Sequence, residues 1–228
     1  DPEAAFTRWS DALIGGAVAL AAATVVPRAP LRRPRLQAAV VMRKVAALLE
    51  TAASVMTDGD VERALDLLAD ARSTDVLIRE LQDASDEGLS VVASSPFRLR
   101  HRPGMRRMAE LVEPLDLATR NTRVLVRRAA VAAHRHEHVP QEYARLCSDL
   151  ATCATIIAEE LDADRLPAAA QPALLEVARG TAGVERGPEL SAEVVLAQIR
   201  SITADLLRIT GMGAVESTDA IPPASSGP

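Results

Sequence analysis

Aromatic side chains make up only 2% of this sequence of 228 residues: Phe6, Trp9, Phe97 and Tyr143 are the four rings. So few stacking platforms argue against a protein that holds bases or flat cofactors between rings. Lysine is scarcer still, since Lys44 stands alone and leaves almost no choice of amine nucleophile. The two cysteines, Cys147 and Cys153, lie six positions apart on one expected helix, about 9 Å along its axis and on diverging faces, so they cannot pair there. With no CxxC, they read as free thiols beside an apolar stripe in a reducing cytoplasm. No HExxH, no phosphate-cradling Gly-rich loop ending in Lys-Ser/Thr and no nucleophile-elbow serine occurs. We therefore expect no catalytic residue, no metal site and no cofactor, hence no enzyme.

What is abundant is aliphatic. Hydrophobic residues reach 48%, drawn from Ala, Val, Leu and Ile, while 26 basic and 31 acidic residues leave a net charge of -5. This composition suffices for a buried core and points to helices. The longest uncharged apolar run is ALIGGAVALAAATVV, residues 12–26. At fifteen residues it falls short of the roughly 20 of a full span, so length alone leaves a buried core helix open. The flanks favour a membrane. Arg28, Arg32, Arg33, Arg35, Arg43 and Lys44 follow it with no acid between Asp11 and Glu50, the positive-inside pattern, and Trp9 stands at the opposite end. A signal peptide would begin basic, whereas here Asp1, Glu3 and Asp11 outweigh Arg8. Gly15, Gly16, Ala19, Ala22 and Ala23 would let a neighbouring helix approach closely. Residues 1–27 are thus expected to be a terminal transmembrane helix, a fragment of a larger membrane domain lying upstream, and residues 28–35 a basic juxtamembrane linker.

Beyond Pro34 the apolar period is helical throughout. Val41, Val45, Leu48, Ala52 and Val55 mark one helix, stopped at Gly59. Val61, Leu65 and Leu68 mark the next, and after Ser73-Thr74-Asp75 a further stripe runs through Ile78, Leu81, Ala84, Leu89 and Val92 to Pro96. Following the loop 96–104, a long helix interrupted by Pro114 carries Met108, Val112, Leu115, Leu125, Ala129 and Ala133. The cleanest stripe is Tyr143, Leu146, Leu150, Ala154, Ile157 and Leu161; a short segment at 174–178 and a last helix at 189–209 follow. These one-sided stripes predict an all-α fold: an antiparallel helical bundle over residues 36–213, cytoplasmic, with a disordered tail at 214–228.

Three segments, DALIGGAVALAAATVVPRAP, RNTRVLVRR and AEVVLAQIRSITADLLRITG, together reaching from Asp11 to Gly211, resemble actinobacterial members of the fusaric acid resistance or aromatic acid exporter family. The order also resembles that family's: a last transmembrane helix, then a C-terminal helical domain. The resemblance implies an inner-membrane protein associated with export of aromatic carboxylic acids, whose pathway lies in membrane helices of which this chain holds at most one. It assigns no transport residue here. The alternative is a membrane-anchored or soluble helical interaction module without transport activity. Expected partners are the lipid bilayer, upstream transmembrane helices of the same protein and further copies of the chain in a homo-oligomer, with no nucleic acid.

Charged clusters supply the remaining candidates. Arg28, Arg32, Arg33 and Arg35 are placed to touch anionic headgroups. Arg98, Arg100, Arg102, Arg106 and Arg107 read as a solvated loop; the acidic net charge and the lack of rings argue against nucleic acid. Arg120, Arg123, Arg127 and Arg128 recur along one helix, and Asp205 lies at the margin of the last helix's stripe, a candidate inter-helix ion pairing. In HRHEH, residues 134–138, only His134 and His138 could share an ion on a helix, and the plainer reading is a polar helix end.

Overall fold

A computed structural model describes residues 8–9, 11–19, 29–93 and 102–223. Every regular element among them is helical. Helix α1 is seen over residues 11–19, followed by α2 (Ala29–Asp58), α3 (Val61–Arg72), α4 (Thr74–Ala93), α5 (Arg102–Arg135), α6 (Gln141–Asp162), a 3-10 turn (Ala168–Ala170), α7 (Gln171–Gly180), α8 (Leu190–Ile209) and α9 (Ala214–Asp219). The all-α bundle expected from the stripes is present.

Helix α2 is the hub. It packs against α3, α4, α5 and above all α6, and α5 is covered on its other side by α8. Both helices carry alanine on their buried faces: Ala38, Ala39 and Ala52 on α2, and Ala151, Ala154 and Ala158 on α6. Small residues let helix backbones approach, and Leu48, Leu49, Leu150 and Ile157 on the same two helices are fully buried.

Local chemistry sets the ends. Gly59 sits in the left-handed region (φ 67°) and donates to the Val55 carbonyl at 2.9 Å, closing α2; Asp60 then caps α3 by accepting from the Arg63 amide at 3.0 Å. Helices α5, α6 and α8 end alike, on His136 (φ 54°), Asp164 (φ 61°) and Gly211 (φ 100°), each followed by an amide that reaches back five residues: Glu137 to Ala132, Arg165 to Glu160, Met212 to Leu207.

Several boundaries differ from those expected. Residues 29–35 are the first two turns of α2, not a linker. Helix entry absorbs the prolines: Pro30 lies where amides have no intrahelical partner anyway, and Pro34, buried inside the helix, removes a single bond. The tail expected from residue 214 begins instead as α9. There Gly213 and Glu216 form a capping pair, Ser217 is buried, Ile221 packs on the core, and Arg200 donates to the Pro222 carbonyl. Residues 224–228 lie outside the described residues. In α3 the inward face is Ala64, Leu67 and Ala71, which leaves Leu65, expected in the stripe, 62% exposed. The small face turns inward because it permits the closer approach.

Helix α1 behaves unlike the rest. All its described residues are exposed, Leu13, Ile14 and Val18 included, as is Trp9 ahead of it. No helix among the described residues is long and apolar enough to cross a membrane; residues 20–28, which include the end of the apolar run, lie outside them.

Candidate functional site: an arginine-lined groove

A concavity of about 1230 Å³ among the described residues forms an open groove between α5 and the α3–α4 pair. Its floor is apolar: Ala64, Ala71, Ile78 and Ala130 are buried beneath it, and Leu65 and Val124 stand exposed within it. Its walls are cationic. Arg120, Arg123, Arg127 and Arg135 rise from α5 and Arg72 and Arg79 from the opposite wall, against the two acids Asp75 and Asp116. Both acids are engaged, Asp75 with Arg123 and Asp116 with Arg120, the latter at 2.8 Å. The Asp116 carboxylate pulls the Arg120 pKa upward by hydrogen bonding and charge. Arg72, Arg79 and Arg127 have no acidic partner among the described residues. His134 closes one end of the groove.

The helix period explains why these arginines face outward. At 100° per residue, Arg120 and Arg127 fall about 170° and Arg123 about 130° away from the mean direction of Ala118, Thr122, Leu125 and Ala129, which are buried. The ion pairing expected between these arginines and Asp205 is therefore not what the structure holds. Asp205, 8% exposed at the α5–α8 seam, accepts a hydrogen bond from Asn121 Nδ2 at 2.7 Å. Burial pushes its carboxyl up to about 6, with the Asn121 hydrogen bond opposing. The cation nearest in sequence, Arg208, pairs with Glu113 at 3.1 Å. Arg128 has no ion-pair partner among the described residues.

Of the candidate headgroup ligands, Arg28 lies outside the described residues. Arg32 is exposed and has no ion-pair partner among the described residues, while Arg33 pairs with Glu87 and remains 70% exposed. Arg35 pairs with Asp164 and is only 23% exposed, which fastens α2 to the end of α6; burial lowers its pKa. Arg98 and Arg100 lie outside the described residues, and Arg102, Arg106 and Arg107 belong to the first turns of α5 rather than to a loop.

The histidines separate. His134 faces the groove, whereas His136, in its left-handed turn, and His138 line a second cavity of about 480 Å³ with Glu137, Thr57 and Asp58. One carboxylate oxygen of Glu137 is buried there without a hydrogen bond. Cys147 and Cys153 are free and buried; burial raises both thiols, Cys153 to about 11, and Cys147 donates weakly to the Leu49 carbonyl at 3.4 Å.

No protein-family model matches the chain, and no solved structure matches it significantly. An uncharacterized protein of Corynebacterium glutamicum is 31% identical over 229 aligned positions, which cover 97% of this chain and 59% of that protein. The chain thus spans about three fifths of the relative's length.

Proposed function

We propose that this chain is the terminal span and cytoplasmic helical domain of an inner-membrane transporter resembling the aromatic acid exporters, the bundle serving assembly or regulation and not the transport pathway itself. One observation carries the reading. The apolar helix α1 is exposed along all its described length, beside a bundle whose own core is already filled. An apolar helix that contributes nothing to a core needs another apolar surround, and the uninterrupted cations that follow it favour a bilayer edge on that side. The longer relative, two fifths of which lie outside the match, leaves room for the upstream helices such a transporter needs. Arg32 and the exposed Arg33 are then the described residues best placed against anionic headgroups.

Carbonate extraction of cells producing the full protein tests the anchoring. The protein is expected in the membrane pellet, and removal of residues 1–27 is expected to release the bundle into the supernatant. Recovery of the intact chain in the supernatant would overturn the reading. Transport is tested separately by disrupting the gene: cells should accumulate aromatic carboxylic acids, and unchanged accumulation would leave the helical interaction module as the better account. The arginine-lined groove is what favours that second reading, because it is built for contact rather than passage.

A further inference from the structure

We infer that the groove between α5 and the α3–α4 pair is a docking site for an amphipathic helix from a partner protein, with an apolar stripe toward Leu65 and Val124 and acidic residues on both flanks. Size is the first argument. At about 1230 Å³ the groove exceeds the roughly 300–1,000 Å³ of ordinary small-molecule pockets. From Asp116 to Arg135 its α5 wall is about 28 Å long, room for four to five turns of a docked helix.

Shape is the second. The apolar floor lies below two cationic walls, so the site is a trough, which suits a rod; a bilayer presents a plane and would reach the walls without reaching the floor. Charge is the third and decides the partner's character. A chain of net charge -5 gathers six arginines here, and three of them, Arg72, Arg79 and Arg127, have no acidic partner among the described residues. Acids on either flank of an incoming helix would meet these cations while its stripe covers Leu65 and Val124, the helix-in-groove mode of recognition. The inference is independent of whether α1 crosses a membrane, since none of the groove residues belongs to α1.

A test uses the full protein in mild detergent and a fluorescein-labelled helical peptide of about 18 residues, long enough to fill most of the trough. The peptide carries Leu at three- and four-residue spacing and Glu on both flanks, and binding is read by anisotropy. Saturable binding that weakens with added salt is expected, and a peptide with Lys in place of every Glu should not bind. Replacing Arg72, Arg79 and Arg127 together by Gln should weaken binding by about tenfold or more. The exposed Leu65→Gln should also weaken it. These side chains are solvent-facing, so both variants should keep the parent's helical circular dichroism and melting transition, which separates lost docking from lost fold. Equal binding of the Lys peptide, no saturable binding, or unchanged affinity in the folded triple variant would each overturn the inference. So would loss of self-association in the triple variant, which would make the occupant a second copy, or a preference of the bundle without residues 1–27 for phosphatidylglycerol vesicles that the triple variant abolishes.

Discussion

Replacing Asp205 by Asn should stabilise this protein, and by an amount that depends on pH in a defined way. The carboxyl titrates near 6 in the folded chain because it is buried between α5 and α8, against an ordinary value of 3.8. Folded Asp205 therefore holds a proton over a range where the unfolded chain has released it. Stability falls as pH rises from about 4 to about 6 and then levels, the opposite of a salt-bridged carboxylate. Ionising a carboxyl that titrates about two pH units too high costs about 3 kcal/mol, an upper bound for the penalty at neutral pH. Asn has nearly the same shape, carries no charge and can still accept from Asn121 Nδ2. Asp205→Asn should thus gain about 2–3 kcal/mol at pH 7.5, on the order of 5–10 °C in Tm, and almost nothing below pH 4. Urea titrations of parent and variant across that range measure the difference directly, since every other titrating group cancels to first order. A variant less stable than the parent at pH 7.5 would refute the reasoning, because it would mean that the carboxylate is held by a cation after all, Arg208 being the candidate.

Three more perturbations probe the packing. Tyr143 is fully buried, donates to the Glu185 carbonyl at 3.0 Å and accepts from the Gly187 amide at 3.3 Å; Tyr143→Phe should cost about 1–3 kcal/mol by leaving both backbone groups unpaired, read as a lower urea midpoint. At Gly187 a Cβ would sit 2.6 Å from the Ala192 Cβ and 3.1 Å from Pro140 Cδ, so Gly187→Ala should lower stability by about 1–3 kcal/mol, again by urea titration. Both thiols are buried and titrate high, which predicts that iodoacetamide modifies neither Cys147 nor Cys153 at pH 8 in the folded protein and both in urea, by mass spectrometry.

Much of the bundle was legible because its signals are dense and local. The stripe from Tyr143 to Leu161 is buried along α6 as its period requires, and Gly59 and Gly211 end their helices where a left-handed residue is needed. Where the reading failed, tertiary packing outweighed local preference. Pro34 read as a break, yet a proline near a helix start removes little, and Pro34 itself is buried. The stretch after Gly213 read as a coil from its small, polar composition, yet Arg200 on α8 reaches the Pro222 carbonyl and holds that segment against the body. No window of local sequence contains that contact. Leu65 was assigned to the stripe by its spacing from Val61 and Leu68; Ala64 and Ala71 displaced it because close approach of α3 to the bundle favours the smaller side chains.

The groove was half legible, and the missing half was arithmetic rather than information. Arg120, Arg123 and Arg127 stand out as a row, and Asp205, at the margin of the last helix's stripe, was their candidate partner; α5 and α8 do pack together. But Ala118, Leu125 and Ala129, buried on α5, already fix which side faces inward, and three arginines about 140–180° from them point away from an acid in that seam. The residue that reaches it is Asn121, on the flank of the buried face, which sequence reading passed over because it carries no charge. Burial at that seam is why Asp205 titrates high, with the Asn121 hydrogen bond and the Arg208 charge opposing, and the arginines on the other side of α5 help to make the groove basic. Both features depend on the phase of α5, which sets Asn121 toward Asp205 and the arginine row toward the groove. What no single-helix pattern could supply is the opposite wall, since Arg72 and Arg79 meet the α5 row only because α3 and α4, joined at Ser73, both pack along it.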